Sequence, residues 1–123
     1  MFKNILLVGL GGAVGSIIRY LTSFIVQKYY SSVFPLATFI ANIIGCFLIG
    51  ILISWLEKNN TIDSPLKWLL ITGFCGGYTT FSTFALENMQ LMQSQQTLLA
   101  FAYIFCSVVL GILSVWLGMN LAK

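Results

Sequence analysis

The sequence predicts an all-α membrane protein with four transmembrane helices, and three observations lead to this prediction. Of the 123 residues, 59% are apolar and only 7% are charged, whereas a soluble domain carries about 25% charged residues. The few charges are separated by apolar stretches that reach the roughly 20 residues needed to cross a bilayer. No internal repeat or soluble domain is visible, so residues 1–123 are predicted to form a single membrane domain.

The positions of the charges define the four predicted spans. Charges are absent between Lys28 and Glu57, and again on both sides of Glu87 as far as Lys67 and Lys123. The apolar stretch before Lys28, at residues 4–26, is too long and too rich in glycine for a signal peptide. We place the spans at residues 4–26, 35–56, 66–91 and 98–121. An even number of spans puts both termini on the same side of the membrane.

The composition excludes several classes of function. The net charge of +3 is spread thinly and provides no basic patch for nucleic acid. The chain has no His, and Cys46, Cys75 and Cys106 lie singly in apolar stretches, which excludes zinc sites and a disulfide framework. We interpret each Cys as a small buried apolar residue. With neither paired carboxylates nor an activated nucleophile, the chain is not expected to be an enzyme.

Small and polar residues recur every four positions on the first helix. Gly11, Gly15 and Arg19 share one face, where glycines permit close approach of another helix. Arg19 has two interpretations, which the spacing does not separate. Its side chain extends to the lipid headgroups, or it lines a vestibule for anions.

The second and fourth helices also carry polar residues on one face. Thr38, Asn42 and Gly45 follow a spacing of i, i+4 and i+7, and Tyr103 and Ser107 lie four apart. Gly45 is a candidate for helix packing. Asn42 either joins two helices or lines a polar pathway with its amide N–H groups. The hydroxyl of Ser107 either bonds its own helix or serves the same pathway.

The stretch Gly73–Phe84 is the most informative part of the sequence. Gly76–Gly77 is poor helix sequence and hydroxyl residues follow it, so we predict a break in the third helix near mid-membrane. Backbone that is not hydrogen-bonded at membrane depth survives only when buried in protein or lining a cavity, which favours an ion site. Phe81 and Phe84 share a face beside the break, and Glu87 is expected at the membrane interface.

Together these motifs resemble the small fluoride channels of the CrcB or Fluc family. The resemblance covers nearly the whole chain and rests on four segments: residues 11–20 (GGAVGSIIRY), residues 35–45 (P-x-x-T-x-x-x-N-x-x-G), residues 73–84 (GFCGGYTTFSTF), and the pair Tyr103 and Ser107. It implies a dimer of antiparallel subunits in the cell membrane, with two fluoride pathways and a structural Na⁺ at the subunit interface.

The resemblance also implies roles for individual residues. The main-chain carbonyls of Gly76 and Thr79 would bind Na⁺. The fluoride pathway would contain the following side chains: Asn42, Phe81, Phe84, Thr83, Tyr103, Ser107, Arg19 and Thr38. Such a channel exports F⁻ passively, because the negative-inside membrane potential supplies about 2.3 kcal/mol per charge per 100 mV.

Two alternatives remain open from the sequence. A proton-coupled exporter of the small multidrug resistance type would need a carboxylate inside the membrane, but the first span has none and Glu87 lies near a loop.

The second alternative concerns the partner. The side with both termini carries four lysines against one or two cations opposite, a bias that favours one orientation. The partner is therefore either a second copy inserted the other way, which we prefer, or an oppositely inserted paralogue.

Overall fold

The computed structural model describes residues 1–123, and every regular element in it is a helix. Three long helices are continuous: α1 (Phe2–Tyr29), α2 (Leu36–Lys58) and α5 (Thr97–Leu121). The third span covers Trp68–Gln93 in several pieces. All four are long and apolar enough to cross a membrane. The predicted four-span fold is confirmed.

The third span is broken, as predicted, but the break lies beyond the two glycines. A π-helical segment (Trp68–Cys75) leads into one α-helical turn, α3 (Gly76–Tyr78), so both glycines are helical. The chain is extended at Thr79 (ψ 158°) and Thr80 (φ −150°), and α4 (Phe81–Gln93) follows. The break therefore lies at two threonines in extended conformation.

Two close helix pairs organise the bundle: α1 with the first half of the third span, and α2 with α5. The buried Gly11 and Gly15 face that span. A Cβ atom on Gly11 would collide with the Leu69 carbonyl oxygen, and one on Gly15 with the Phe74 carbonyl oxygen. The two backbones approach so closely that only glycine fits at these two positions.

Few side chains are buried within the single chain. Only 17 of 123 residues are buried, and large apolar side chains are exposed along all four spans. A water-soluble domain would not expose them in this way. The surface instead suits lipid or another protein subunit.

α2 and the third span run in opposite directions, and this brings their polar residues together. Thr38 contacts Glu87 and Asn42 contacts Thr80. One turn further along α2, Gly45 lies against the Thr79 side chain. Residues that are far apart in sequence thus meet around the break.

Candidate functional site

Asn42 is bound to both main-chain polar groups of Thr80. Its Oδ1 accepts the Thr80 N–H at 2.8 Å, and its Nδ2 donates to the Thr80 carbonyl at 3.1 Å. These two hydrogen bonds replace the helical hydrogen bonds that Thr80 loses at the break. Because a side-chain amide has two N–H donors, Asn42 keeps one N–H beyond the bond to Thr80.

The break diverts the donors of two particular carbonyls. In a continuous α-helix the Thr80 N–H would donate to the Gly76 carbonyl, and the Thr83 N–H to the Thr79 carbonyl. Here the Thr80 N–H bonds Asn42, and the Thr83 N–H bonds the Thr80 hydroxyl at 3.2 Å. The carbonyls of Gly76 and Thr79 thus lose their helical partners. The chemistry of this pair suits a hard cation, which prefers oxygen ligands.

A cavity of about 550 Å³ lies beside the break, between α2, the third span and α5. Six of the residues predicted for the fluoride pathway or the Na⁺ site line it: Asn42, Gly76, Thr79, Phe81, Phe84 and Ser107. The Ser107 hydroxyl is buried and has no hydrogen-bond partner. An unpaired hydroxyl at this depth is costly, so it is available to a ligand that accepts a hydrogen bond.

Aromatic rings form one wall of this cavity. Phe81 and Phe84 lie with their centroids 5.8 Å apart, and Phe84 meets Tyr103 edge-on at 4.9 Å. Ring edges carry partial positive charge and can face an anion. Phe81 is 79% exposed in the single chain, so its ring projects from the surface next to the break.

Tyr103 does not line the large cavity but is completely buried beside it, in contact with Glu87. Its hydroxyl donates to Glu87 Oε1 at 2.9 Å, and the Thr38 hydroxyl donates to Glu87 Oε2 at 2.8 Å. Glu87 therefore joins α2, α4 and α5. Its sequence position near a loop gave no indication of these partners.

Arg19 lines a second, smaller cavity of about 280 Å³. Thr38, Thr80 and Thr83 line the same cavity. A guanidinium among hydroxyls forms a surface that attracts anions. This position corresponds to the vestibule interpretation of Arg19.

Sequence reasoning missed Thr80, which lines both cavities. Its side chain caps α4 by accepting the Thr83 N–H, and its own hydroxyl donates to Thr83 Oγ1 at 3.1 Å. A Thr directly before the first residue of a helix is a common N-cap pattern. That pattern could have identified Thr80 as the first residue before α4.

Comparison with known proteins gives a consistent result. The sequence model of the family described as CrcB-like protein, Camphor Resistance (CrcB), matches residues 6–119. A protein of Flavobacterium psychrophilum named fluoride-specific ion channel FluC is 53% identical over 98% of both chains. A protein of the same name from Azobacteroides pseudotrichonymphae is 45% identical over all of this chain and 98% of its own length. A third, from Hydrogenobaculum, is 49% identical over 94% of this chain and 93% of its own.

Proposed function

This chain belongs to the CrcB-like family, and we propose that it is a passive fluoride channel that exports F⁻ across the cell membrane. The proposal follows the fluoride-channel names of its relatives, which are up to 53% identical over nearly the full length. It is not an enzyme. The alternative of a proton-coupled multidrug exporter has no support among these relatives.

The observation that carries the proposal is the unpartnered Ser107 hydroxyl in the cavity beside the break. F⁻ is compact and strongly hydrated, so a selective pathway needs donors that replace its water. The cavity offers the Ser107 hydroxyl, the remaining Asn42 N–H, and the ring edges of Phe81 and Phe84. All are uncharged, so they can bind F⁻ without trapping it as a fixed cation would.

The two cavities suggest the order of contacts along the pathway. Arg19, Thr38 and Thr83 surround the smaller cavity, where the cation would concentrate anions. Thr80 lies between this vestibule and the larger cavity. Tyr103 supports the pathway from outside by orienting Glu87 and by packing against Phe84.

The functional unit of the proposal is an antiparallel dimer. Gly76 and Phe81 are exposed in the single chain, next to two carbonyls that have lost their helical partners. Lipid offers no hydrogen bonds to such groups, so this face must be covered by protein. A second copy in the opposite orientation supplies the same face; an oppositely inserted paralogue is the alternative partner.

A structural Na⁺ at this dimer interface also belongs to the proposal. The Gly76 and Thr79 carbonyls are among the acceptors that lose their helical donors at the break, so the residues fit a cation bound by main-chain oxygen. A bound Na⁺ would supply positive charge that offsets the carbonyl dipoles. Flux that is unaffected by exhaustive removal of sodium would contradict this part of the proposal.

The function is tested by fluoride efflux from liposomes. Purified protein is reconstituted in vesicles loaded with KF, the membrane potential is set with valinomycin, and external F⁻ is read with an electrode. We expect rapid efflux that requires valinomycin, and no comparable loss from vesicles loaded with KCl and read with a chloride electrode. Absence of fluoride efflux from correctly inserted protein would refute the channel function.

A further inference from the structure

We propose that Cys46 and Cys75 form a binding site for a soft, thiophilic metal ion such as Cu⁺, Ag⁺ or Hg²⁺. Both are free cysteines and both line the large cavity beside the break. The third cysteine, Cys106, does not line it. The chain thus places two of its three thiols at one cavity.

The register of α2 against the third span places both cysteines at the same part of the cavity. Asn42 contacts Thr80 and Gly45 contacts Thr79. Because the helices run in opposite directions, Cys46 comes next on α2, while Cys75 lies one helical turn before Thr79. The Thr79 hydroxyl donates to the Cys75 carbonyl at 2.9 Å, which connects Thr79 with the preceding turn of its own span.

The α5 residue opposite Cys46 is a glycine, which contributes no side chain next to the sulfur. On α5, the residue that faces the Cys46 sulfur is Gly111, where an added Cβ would lie 3.5 Å from that sulfur. Cys75 is only 2% exposed. Bulky thiol reagents are therefore hindered at Cys75, and because this residue lines the cavity we expect a bare metal ion to be the better ligand.

The chemistry requires no oxidant or reductant. Thiolates select soft metal ions over the hard cations that carbonyl oxygens prefer. Binding of Hg²⁺ by the pair forms two metal–sulfur bonds and releases both thiol protons to solvent. A metal ion held there would occupy the cavity that contains Asn42, Phe84 and Ser107, and would obstruct the pathway.

The first test is direct binding of Hg²⁺ to detergent-solubilised protein, measured by equilibrium dialysis and by ultraviolet mercury–thiolate absorption. This measurement does not depend on the proposed channel function. We expect one tight site per chain. Loss of a ligand in Cys46→Ala or in Cys75→Ala should weaken Hg²⁺ binding by at least about tenfold. The matched control Cys106→Ala should bind Hg²⁺ as tightly as wild type.

The second test rests on the proposed function and measures fluoride efflux with and without mercuric nitrate in chloride-free buffer. The ratio of the two rates is compared within each variant, which cancels differences in basal flux. We expect Hg²⁺ to inhibit wild type and Cys106→Ala alike, and to lose potency against Cys46→Ala, Cys75→Ala and their serine counterparts. Equal binding in all variants, or tight binding lost only in Cys106→Ala, would overturn the proposal.

Discussion

Removal of the Asn42 side chain should destabilise the break in the third span. Asn42→Ala deletes two hydrogen bonds to Thr80, of 2.8 and 3.1 Å. Hydrogen bonds between membrane helices contribute about 0.6–2 kcal/mol each. The loss of both therefore predicts a decrease of about 1–4 kcal/mol in the free energy of unfolding. Each 1.4 kcal/mol is a factor of about ten in the unfolding equilibrium.

The assay compares Asn42→Ala with a matched Asn control. In Asn120 the amide donates only to the Trp116 carbonyl of its own helix, at 2.8 Å, on an exposed surface. Asn120→Ala should change stability by no more than about 0.5 kcal/mol. Unfolding is followed in mixed detergent micelles, and fluoride efflux is measured in parallel on reconstituted protein. We expect Asn42→Ala to lower both stability and flux, and Asn120→Ala to lower neither.

Asn42→Asp separates support of the break from direct contact with the anion. The carboxylate still accepts the Thr80 N–H but cannot donate to the Thr80 carbonyl, and when ionised it repels F⁻. We expect this variant to block fluoride efflux more completely than its loss of stability explains. If Asn42→Ala unfolds like Asn120→Ala, the reasoning that Asn42 holds the break is refuted. Normal efflux in Asn42→Asp would remove Asn42 from the pathway.

Three further predictions follow from the same geometry. Phe81→Ile and Phe84→Ile should sharply reduce fluoride flux, because the ring edges are lost. Most of the apolar volume is kept, so the dimer should stay intact on size-exclusion chromatography. Undiminished flux in both variants would show that these rings only contribute to packing. Gly15→Val should prevent stable folding, because its side chain would collide with the Phe74 carbonyl, whereas Gly9→Val, with nothing within 4 Å of the added Cβ, should fold normally in the same thermal assay. Cysteine labelling at Ser94 and Asn60 in intact cells, with the three native cysteines removed, should show both sites accessible from both sides; labelling of each from one side only would exclude dual insertion and point to a paralogue.

The fold was predictable because charge placement and hydrophobic length govern it directly. Four apolar stretches separated by sparse charges predict four spans, and the structure has four. Individual contacts between spans were less accessible. For Glu87 only its distance from a loop was visible in the sequence, because its partners Thr38 and Tyr103 are 49 and 16 residues away.

The break in the third span was predicted from two glycines and the hydroxyl residues that follow them, and it lies at the hydroxyl residues. Gly76–Gly77 predicted a break, yet both residues are helical. Gly77 instead meets α1, where an added Cβ would lie 2.6 Å from the Gly12 carbonyl oxygen. This glycine serves close helix packing, and its low helix propensity is overcome by that contact.

What breaks the helix is an interaction between spans. The Thr80 hydroxyl caps α4 and Asn42 on α2 takes up the Thr80 N–H, so an extended backbone at Thr79 and Thr80 retains hydrogen bonds at membrane depth. Neither threonine dictates this conformation alone, because β-branched residues also occur within helices. The partner on α2 is 38 residues away in sequence. Because the Thr80 N–H bonds Asn42, it does not donate to the Gly76 carbonyl. Because the Thr83 N–H bonds the Thr80 hydroxyl, it does not donate to the Thr79 carbonyl. The position of the break and the pair of free carbonyls proposed to bind Na⁺ are therefore two consequences of one set of contacts around Thr80.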